Sequence, residues 1–151
     1  MKKQLLNLAI GECAALCTFI YIYRLLNLGM SSFLAFAYLI FILLQGSIYW
    51  FYRYILLIKR VSFSIKAIKL LRFLRQLNMI VLLVIGLIIP IFKSDFKDLF
   101  IAIGLFLFGV IEYVNYYWYR LSYGKLGFNI RILFKTKLQE SSINKLINKQ
   151  S

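Results

Sequence analysis

The segment from Ile111 to Gly127 reads IEYVNYYWYRLSYGKLG, and the prediction of the whole fold starts from it. It begins inside an apolar run, where it carries Glu112 and Asn115, and it leaves that run at Arg120. Between these polar residues lies a group of aromatic side chains: Tyr113, Tyr116, Tyr117, Trp118 and Tyr119. Aromatic and basic residues concentrate where a transmembrane helix meets the membrane–water interface. The segment therefore predicts the inner-leaflet end of the last transmembrane helix.

The composition of the chain is typical of a membrane protein. Of its 151 residues 62% are hydrophobic, whereas soluble domains are roughly 45–50% apolar. The mean hydropathy is +0.80. The 19 basic and 5 acidic residues give a formal net charge of +14, and the basic residues flank the apolar runs. This placement favours membrane topology and anionic lipid headgroups as its cause, and it disfavours nucleic acid as a partner.

Four apolar runs predict an all-α membrane protein with four antiparallel transmembrane helices. We place the spans at about 5–26, 33–58, 77–92 and 99–119 within a bundle that covers residues 1–127. A basic amphipathic segment at 59–76 either lies in the membrane interface or runs straight into the third span. Residues 128–151 are predicted to form a short basic cytosolic tail.

Short polar residues predict where helices begin. The pair Ser31–Ser32 is placed to cap the second span, and Ser94 or Asp95 is placed to cap the fourth. The pair Ser141–Ser142 is placed to cap a last short helix with one apolar side.

The distribution of Lys and Arg predicts the orientation in the membrane. Seven of them lie from Arg53 to Arg75, seven more lie from Arg120 onwards, and Lys2 and Lys3 add to the same side. The opposite side carries few net positive charges. Because short cytosolic loops are enriched in Lys and Arg, both termini and the middle basic segment are predicted to be cytosolic.

Polar residues inside the spans are the candidate functional residues. With this orientation Glu12, Gln45 and Glu112 lie at similar depths near the inner leaflet, together with Ser47 and Asn115. Ionisable groups in a span are costly and usually face the bundle interior or a wet cavity, so we expect the first three to converge. Three interpretations stay open: a network that only holds the helices together, a site for a proton, an ion, a lipid headgroup or a small ligand, or groups that snorkel past lipid.

Basic residues near this layer have two predicted roles. The candidate charge partners of the intramembrane carboxylates are Arg53, Arg72, Arg75 and Arg120. The candidate contacts to lipid headgroups are Lys59, Arg60, Lys66, Lys69, Lys125 and Arg131. Docking of an acidic cytosolic partner would use the same exposed cations.

The residue inventory argues against an enzyme and against a metal or cofactor site. The chain has no histidine, and Cys13 and Cys17 lie one helical turn apart without a CxxC motif. This removes most zinc, haem and imidazole chemistry. Two glutamates on different spans do not form a recognisable catalytic cluster. We therefore predict no enzymatic activity, no metal and no cofactor.

Two aromatic segments carry a family resemblance. LLQGSIYWFYR (Leu43 to Arg53) followed by IEYVNYYWYRLSYGK (Ile111 to Lys125) resembles a group of small four-span membrane proteins of low-GC Gram-positive bacteria, often labelled general stress proteins. The resemblance covers most of the chain and implies a multi-pass protein of the bacterial inner, or cytoplasmic, membrane. It implies no mechanism.

Function is predicted only as a class. The first hypothesis is an integral membrane accessory or interaction protein, with a homo-oligomer or another membrane protein as partner and a role in stress or envelope physiology. The second is a membrane effector or immunity protein, in which a pore-type assembly acts in phage defence or protects against a bacteriocin. The third is a small transporter or channel.

Overall fold

The computed structural model describes residues 2–25, 29–92, 94–121 and 139–149, and over these ranges the chain is helical, with one isolated β-bridge and no strand. Its helices are α1 (Lys2–Leu25), α2 (Met30–Lys59), α3 (Ile65–Ile88), α4 (Phe96–Tyr117) and α5 (Ser142–Asn148). The first four are long and apolar enough to cross a membrane, each with a hydropathy of 1.8 over its most apolar stretch. The prediction of an all-helical protein with four candidate membrane spans is confirmed.

Helix α2 is the centre of the structure. Its most apolar stretch is 56% buried inside the protein, against 11% for the stretches of α1 and α3. Ala35, Leu39 and Ile42 of α2 have no exposed surface at all. Helices α1 and α4 both pack along α2, which leaves most apolar side chains of α1 and α3 on the outside, as expected where lipid tails replace water.

The helix termini meet at two opposite ends of the bundle. At the first of these ends, α1 and α3 finish and α2 and α4 begin. Tyr23 near the end of α1 stacks on Phe36 near the start of α2, with ring centroids 4.1 Å apart. The Ser31 hydroxyl donates to the carbonyl of Ile89 just after α3, at 2.8 Å, and the start of α4 meets the same serines through Asp98. We call this the clamped end. The opposite end, where α2 and α4 finish, α3 begins and α5 lies, is called the basic end.

The basic segment 59–76 is not a separate interfacial helix. Helix α2 ends at Lys59, Arg60 follows in the left-handed conformation with φ of 55°, and the Ser64 side chain accepts a hydrogen bond from the Ala67 backbone N–H to begin α3. From Ile65 the helix continues without interruption to Ile88, because the sequence has no Gly or Pro from Ile65 to Ile85. Of the two predicted arrangements, the one in which the segment runs straight into the third span is observed.

The predicted caps had mixed outcomes. Asp95 caps α4 by accepting the Asp98 backbone N–H at 2.6 Å, and Ser141 caps α5 by accepting that of Asn144 at 3.0 Å. The prediction that Ser31–Ser32 caps α2 was wrong. The N-cap residue is Gly29, which has no side chain to accept a hydrogen bond. The pair Ser31–Ser32 lies inside the first turn, where both residues are fully buried.

Residues 139–149, which belong to the predicted tail, pack against the bundle. Ser141 N–H donates to the Trp118 carbonyl and Arg120 N–H donates to the Gln139 carbonyl, both at 2.9 Å. Ile143 and Ile147, four residues apart and therefore on one face of α5, retain only 3% and 2% exposure. The other residues of the predicted tail, 128–138, 150 and 151, lie outside the described residues.

Candidate functional site

A cavity of about 450 Å³ lies between α1 and α4 at the basic end. Both helices pack on α2, yet no Cα of α1 comes within 8 Å of a Cα of α4 over the described lengths of the two helices. Tyr49 and Trp50 of α2 and Ser141 just before α5 also line the cavity. On the side away from the basic end, the rings of Phe19 and Phe108 close the gap with centroids 5.5 Å apart. We call this cavity the lateral groove.

Tyr116 connects the two walls of the lateral groove. Its hydroxyl donates a hydrogen bond to Glu12 Oε2 at 2.5 Å, and it lies close to the Glu112 carboxylate as well. The ring can lie against α2 because residue 46 is glycine: a β-carbon there would come within 2.5 Å of the Tyr116 ring. A small residue in the central helix therefore positions the phenol between two carboxylates.

Glu112 and Asn115 form the second polar pair of the lateral groove. They are three residues apart and so share one face of α4, and Asn115 Nδ2 donates to Glu112 Oε2 at 3.4 Å. The amide oxygen of Asn115 accepts the backbone N–H of Leu121 at 3.0 Å. Asn115 thus orients the carboxylate and also binds the chain just after α4 ends.

Gln45, which was expected to join Glu12 and Glu112, lies in a different network. Its side-chain oxygen accepts hydrogen bonds from Asn78 Nδ2 at 2.8 Å and from the Tyr117 hydroxyl at 2.7 Å. Tyr116 and Tyr117 are consecutive on α4, so their side chains point about 100° apart and enter separate networks. The structure therefore brings Glu12 and Glu112 together at the groove and separates Gln45 from them.

Ser47 is placed in neither network. It is buried, with 6% exposure, and its hydroxyl has no hydrogen-bond partner among the residues that the structure describes.

Most of the arginines predicted to pair with the intramembrane carboxylates contact aromatic rings and α5 instead. Arg53 donates to the Tyr49 hydroxyl at 3.4 Å and lies over the Trp50 ring at 5.6 Å. In α3, Arg72 donates to the Ile147 carbonyl at 3.3 Å; Arg75 donates to Asn144 Oδ1 at 3.1 Å and lies over the Trp118 ring at 5.3 Å. Arg120 lines the lateral groove together with the two glutamates.

The predicted lipid-contacting cations lie on the surface of the basic end. Lys59, Arg60, Lys66 and Lys69 are all exposed around the turn between α2 and α3. Lys125 and Arg131 lie outside the described residues.

Sequence reasoning missed the role of Asp98. It was assigned to a loop, because the fourth span was predicted to start one residue later, but it is 97% buried in the first turn of α4. Its carboxylate accepts the backbone N–H groups of Ser31 and Ser32 at 3.3 and 3.0 Å, and it also accepts the Ser32 hydroxyl. A buried acid opposite two serines has no local sequence signal, because the partners are more than sixty residues apart.

Comparisons of the chain with protein-family models, with curated proteins and with solved structures gave no match. The geometry of the lateral groove is therefore the basis on which a function can be inferred. Within the described ranges no three His, Cys, Asp or Glu side chains come together as they would to hold a metal ion. The lateral groove is lined by two carboxylates, a phenol, an amide and the guanidinium of Arg120, beside aromatic and aliphatic walls. The excess of carboxylates suits the binding of cations and hydrogen-bond donors.

Proposed function

We propose that the protein is an integral membrane accessory or interaction protein that binds its partner molecule in the lateral groove. The observation that carries this proposal is the pair Glu12 and Glu112, which line one cavity within two membrane-spanning helices. A charged side chain near the middle of a span costs at least about 2.5–3.5 kcal/mol. Such groups are retained where they pair or serve a site, and these two face a cavity large enough for a ligand.

The proposal includes the finer topology. The spans run up-down-up-down in a bacterial inner membrane, with both termini and the basic end in the cytosol. The exposed cations Lys59, Arg60, Lys66 and Lys69 support this orientation, since such residues are retained on the cytosolic side and contact anionic headgroups there. The lateral groove then lies at the level of the inner leaflet.

A pore-type effector or a channel is the weaker alternative. A pore within one copy would run along the bundle axis, but this axis is filled by α2, whose Leu39 and Ile42 are fully buried. The polar groups expected to line a lumen are divided between the lateral groove and the network of Gln45, Asn78 and Tyr117. Binding from the side of the bundle is the function that this arrangement favours.

Photocrosslinking in cells tests the proposal. A photoreactive amino acid at Leu8 or Ile111, which line the groove, should yield a discrete adduct of defined mass. The same residue at Leu83 or Leu87, which are exposed on α3, should yield only the broad products of reaction with bulk lipid.

The groove adduct should disappear when Glu12→Gln and Glu112→Gln are combined, while the lipid products at α3 persist. Identical product patterns at the groove and α3 positions, or an adduct indifferent to both glutamates, would contradict the proposal.

A further inference from the structure

We infer that the lateral groove binds an amphiphilic organic cation, with the positive charge between Glu12 and Glu112 and the apolar body against the aromatic wall. This inference rests on the function proposed above and names the class of ligand. It follows from three independent features of the groove: the balance and depth of its charges, the chemistry of its walls, and its route of access.

The charge balance of the groove is opposite to that of the protein. The chain as a whole carries a formal charge of +14, yet the groove lining contains two carboxylates against one guanidinium, that of Arg120. An exposed cationic surface repels cations and concentrates anions. Selection of a cation is therefore a local property of the groove and has to come from Glu12 and Glu112.

The depth of the carboxylates argues against a phospholipid headgroup as the ligand. Glu112 lies five residues before the end of α4 at Tyr117, about 8 Å along the helix axis, whereas Arg120 lies beyond that end. In a phospholipid of the same leaflet, the phosphate lies nearer the membrane centre than the ammonium group. A bound phospholipid would thus place its phosphate towards the carboxylates, where like charges repel.

The walls of the groove suit the apolar body of such a cation. Trp50, Phe108 and Ile111 line it beside the carboxylates and give the groove an apolar, largely aromatic wall. A volume of about 450 Å³ lies within the range for drug-sized ligands. Ile111, which lines the groove, is 41% exposed on α4, so the groove opens at the side of the bundle, where a molecule dissolved in the bilayer can reach it.

Tyr116 gives the inference a distinctive consequence. Its hydroxyl donates to Glu12 Oε2 at 2.5 Å and so occupies the side of the carboxylate that a cation would approach. The ligand must share or replace this hydrogen bond. Removing the hydroxyl with Tyr116→Phe should therefore leave cation binding unchanged or tighten it. The packing is preserved in this variant, because the ring that fills the space beside Gly46 remains.

Equilibrium binding of radiolabelled tetraphenylphosphonium to the full-length protein tests this inference. The protein is reconstituted in phosphatidylcholine vesicles, so that anionic lipid does not take up the probe. We expect saturable binding to the wild type, and binding weakened at least about tenfold in the Glu12→Gln/Glu112→Gln double variant. Neutral triphenylphosphine oxide should not compete for the site.

Glu140→Gln is the matched control, because it removes the same charge from an exposed residue that does not line the groove. It should bind as the wild type does, and unchanged circular dichroism and elution volume would show that the double variant is folded. Absence of saturable binding, equal binding by the double variant, or competition by the neutral compound would overturn the inference. If the crosslinked adduct persists while the cation fails to bind, only the ligand class is refuted; loss of both refutes the proposed function as well.

Discussion

The two ends of the bundle use their carboxylates in different ways. At the clamped end, Asp98 is 3% exposed and accepts backbone N–H groups from Ser31, Ser32 and Ser94 at 3.0–3.3 Å, in addition to the Ser32 hydroxyl. At the basic end, Glu12 accepts the Tyr116 hydroxyl and Glu112 accepts the Asn115 amide, and both line a cavity.

This is the difference that we expect between an acid that stabilises the fold and acids that bind a ligand. Asp98 supplies the start of α2 with the acceptor that Gly29, its N-cap residue, cannot provide, and a negative charge is favourable at a helix N-terminus. The carboxylate oxygens of Asp98 already accept several hydrogen bonds from within the protein. Glu12 and Glu112 are held by side-chain donors that a ligand can replace, and the space beside them is open. We therefore expect substitutions at the clamped end to change stability and substitutions in the lateral groove to change binding.

The largest expected effect is that of Asp98→Ala. It leaves the backbone N–H groups of Ser31 and Ser32 buried without their acceptor, and hydrogen bonds to a charged group contribute about 1.5–3 kcal/mol each. The free energy of unfolding should fall by at least about 3 kcal/mol, as measured by circular dichroism during titration with denaturing detergent.

Asp95→Ala is the control for that substitution, because Asp95 is exposed and caps α4 through a hydrogen bond to the Asp98 N–H. Its loss should lower the free energy of unfolding by only about 1 kcal/mol. Equal effects of the two substitutions would show that Asp98 is no more than another helix cap.

Gly46→Ala should have the next largest effect. The added β-carbon would lie 2.5 Å from the Tyr116 ring, so the ring has to move away from α2 and the hydrogen bond to Glu12 has to change. Overpacking of this kind lowers the free energy of unfolding by about 1–3 kcal/mol, measured in the same titration. Tetraphenylphosphonium binding should also weaken, because the displaced ring takes up space in the lateral groove.

Gly104→Ala provides the comparison on α4, because nothing lies within 4 Å of a β-carbon at that position. It should be neutral or should stabilise the helix by up to about 1 kcal/mol. If the two glycine variants unfold alike, Tyr116 is not held against α2 in the way the structure indicates.

The smallest expected effect on stability is that of Glu12→Gln or Glu112→Gln. The amide keeps an oxygen that can accept the Tyr116 hydroxyl or the Asn115 N–H, and it removes a charge from a membrane span. The free energy of unfolding should be unchanged or rise by up to about 1 kcal/mol, whereas cation binding in the groove should weaken. A fall as large as that of Asp98→Ala would assign these glutamates to the structural class.

Much of the architecture could be predicted from local sequence properties. Hydropathy located α1, α2 and α4 to within a few residues, whereas α3 begins twelve residues before the predicted third span. Asp95 and Ser141 were each one of two neighbouring polar residues predicted to cap their own helix. The apolar side of α5 was visible in the spacing of Ile143 and Ile147, but its packing on the bundle was not, because nothing local distinguishes a docked short helix from a free one.

The lateral groove was only partly predictable. Similar depth placed Glu12, Gln45 and Glu112 in one layer, and depth follows from sequence because each residue advances a helix by about 1.5 Å. Rotation of a helix about its axis does not follow in this way. It depends on packing, and it is what brings Tyr117 to Gln45 while Tyr116 contacts Glu12.

The sequence by itself determined that this chain is an all-helical protein with four candidate membrane spans and a strongly basic end, because hydropathy and charge sum over neighbouring residues. Tertiary structure alone decided that Asp98 closes one end and that Glu12 and Glu112 share a cavity at the other. These contacts join helices distant in sequence, and close packing around single small residues such as Gly46 selects among the arrangements that the same pattern allows. In the segment from Ile111 to Gly127, the positions of the aromatic and basic residues can be explained by the membrane interface alone. The partners of Glu112 and Tyr116 depend on the tertiary fold.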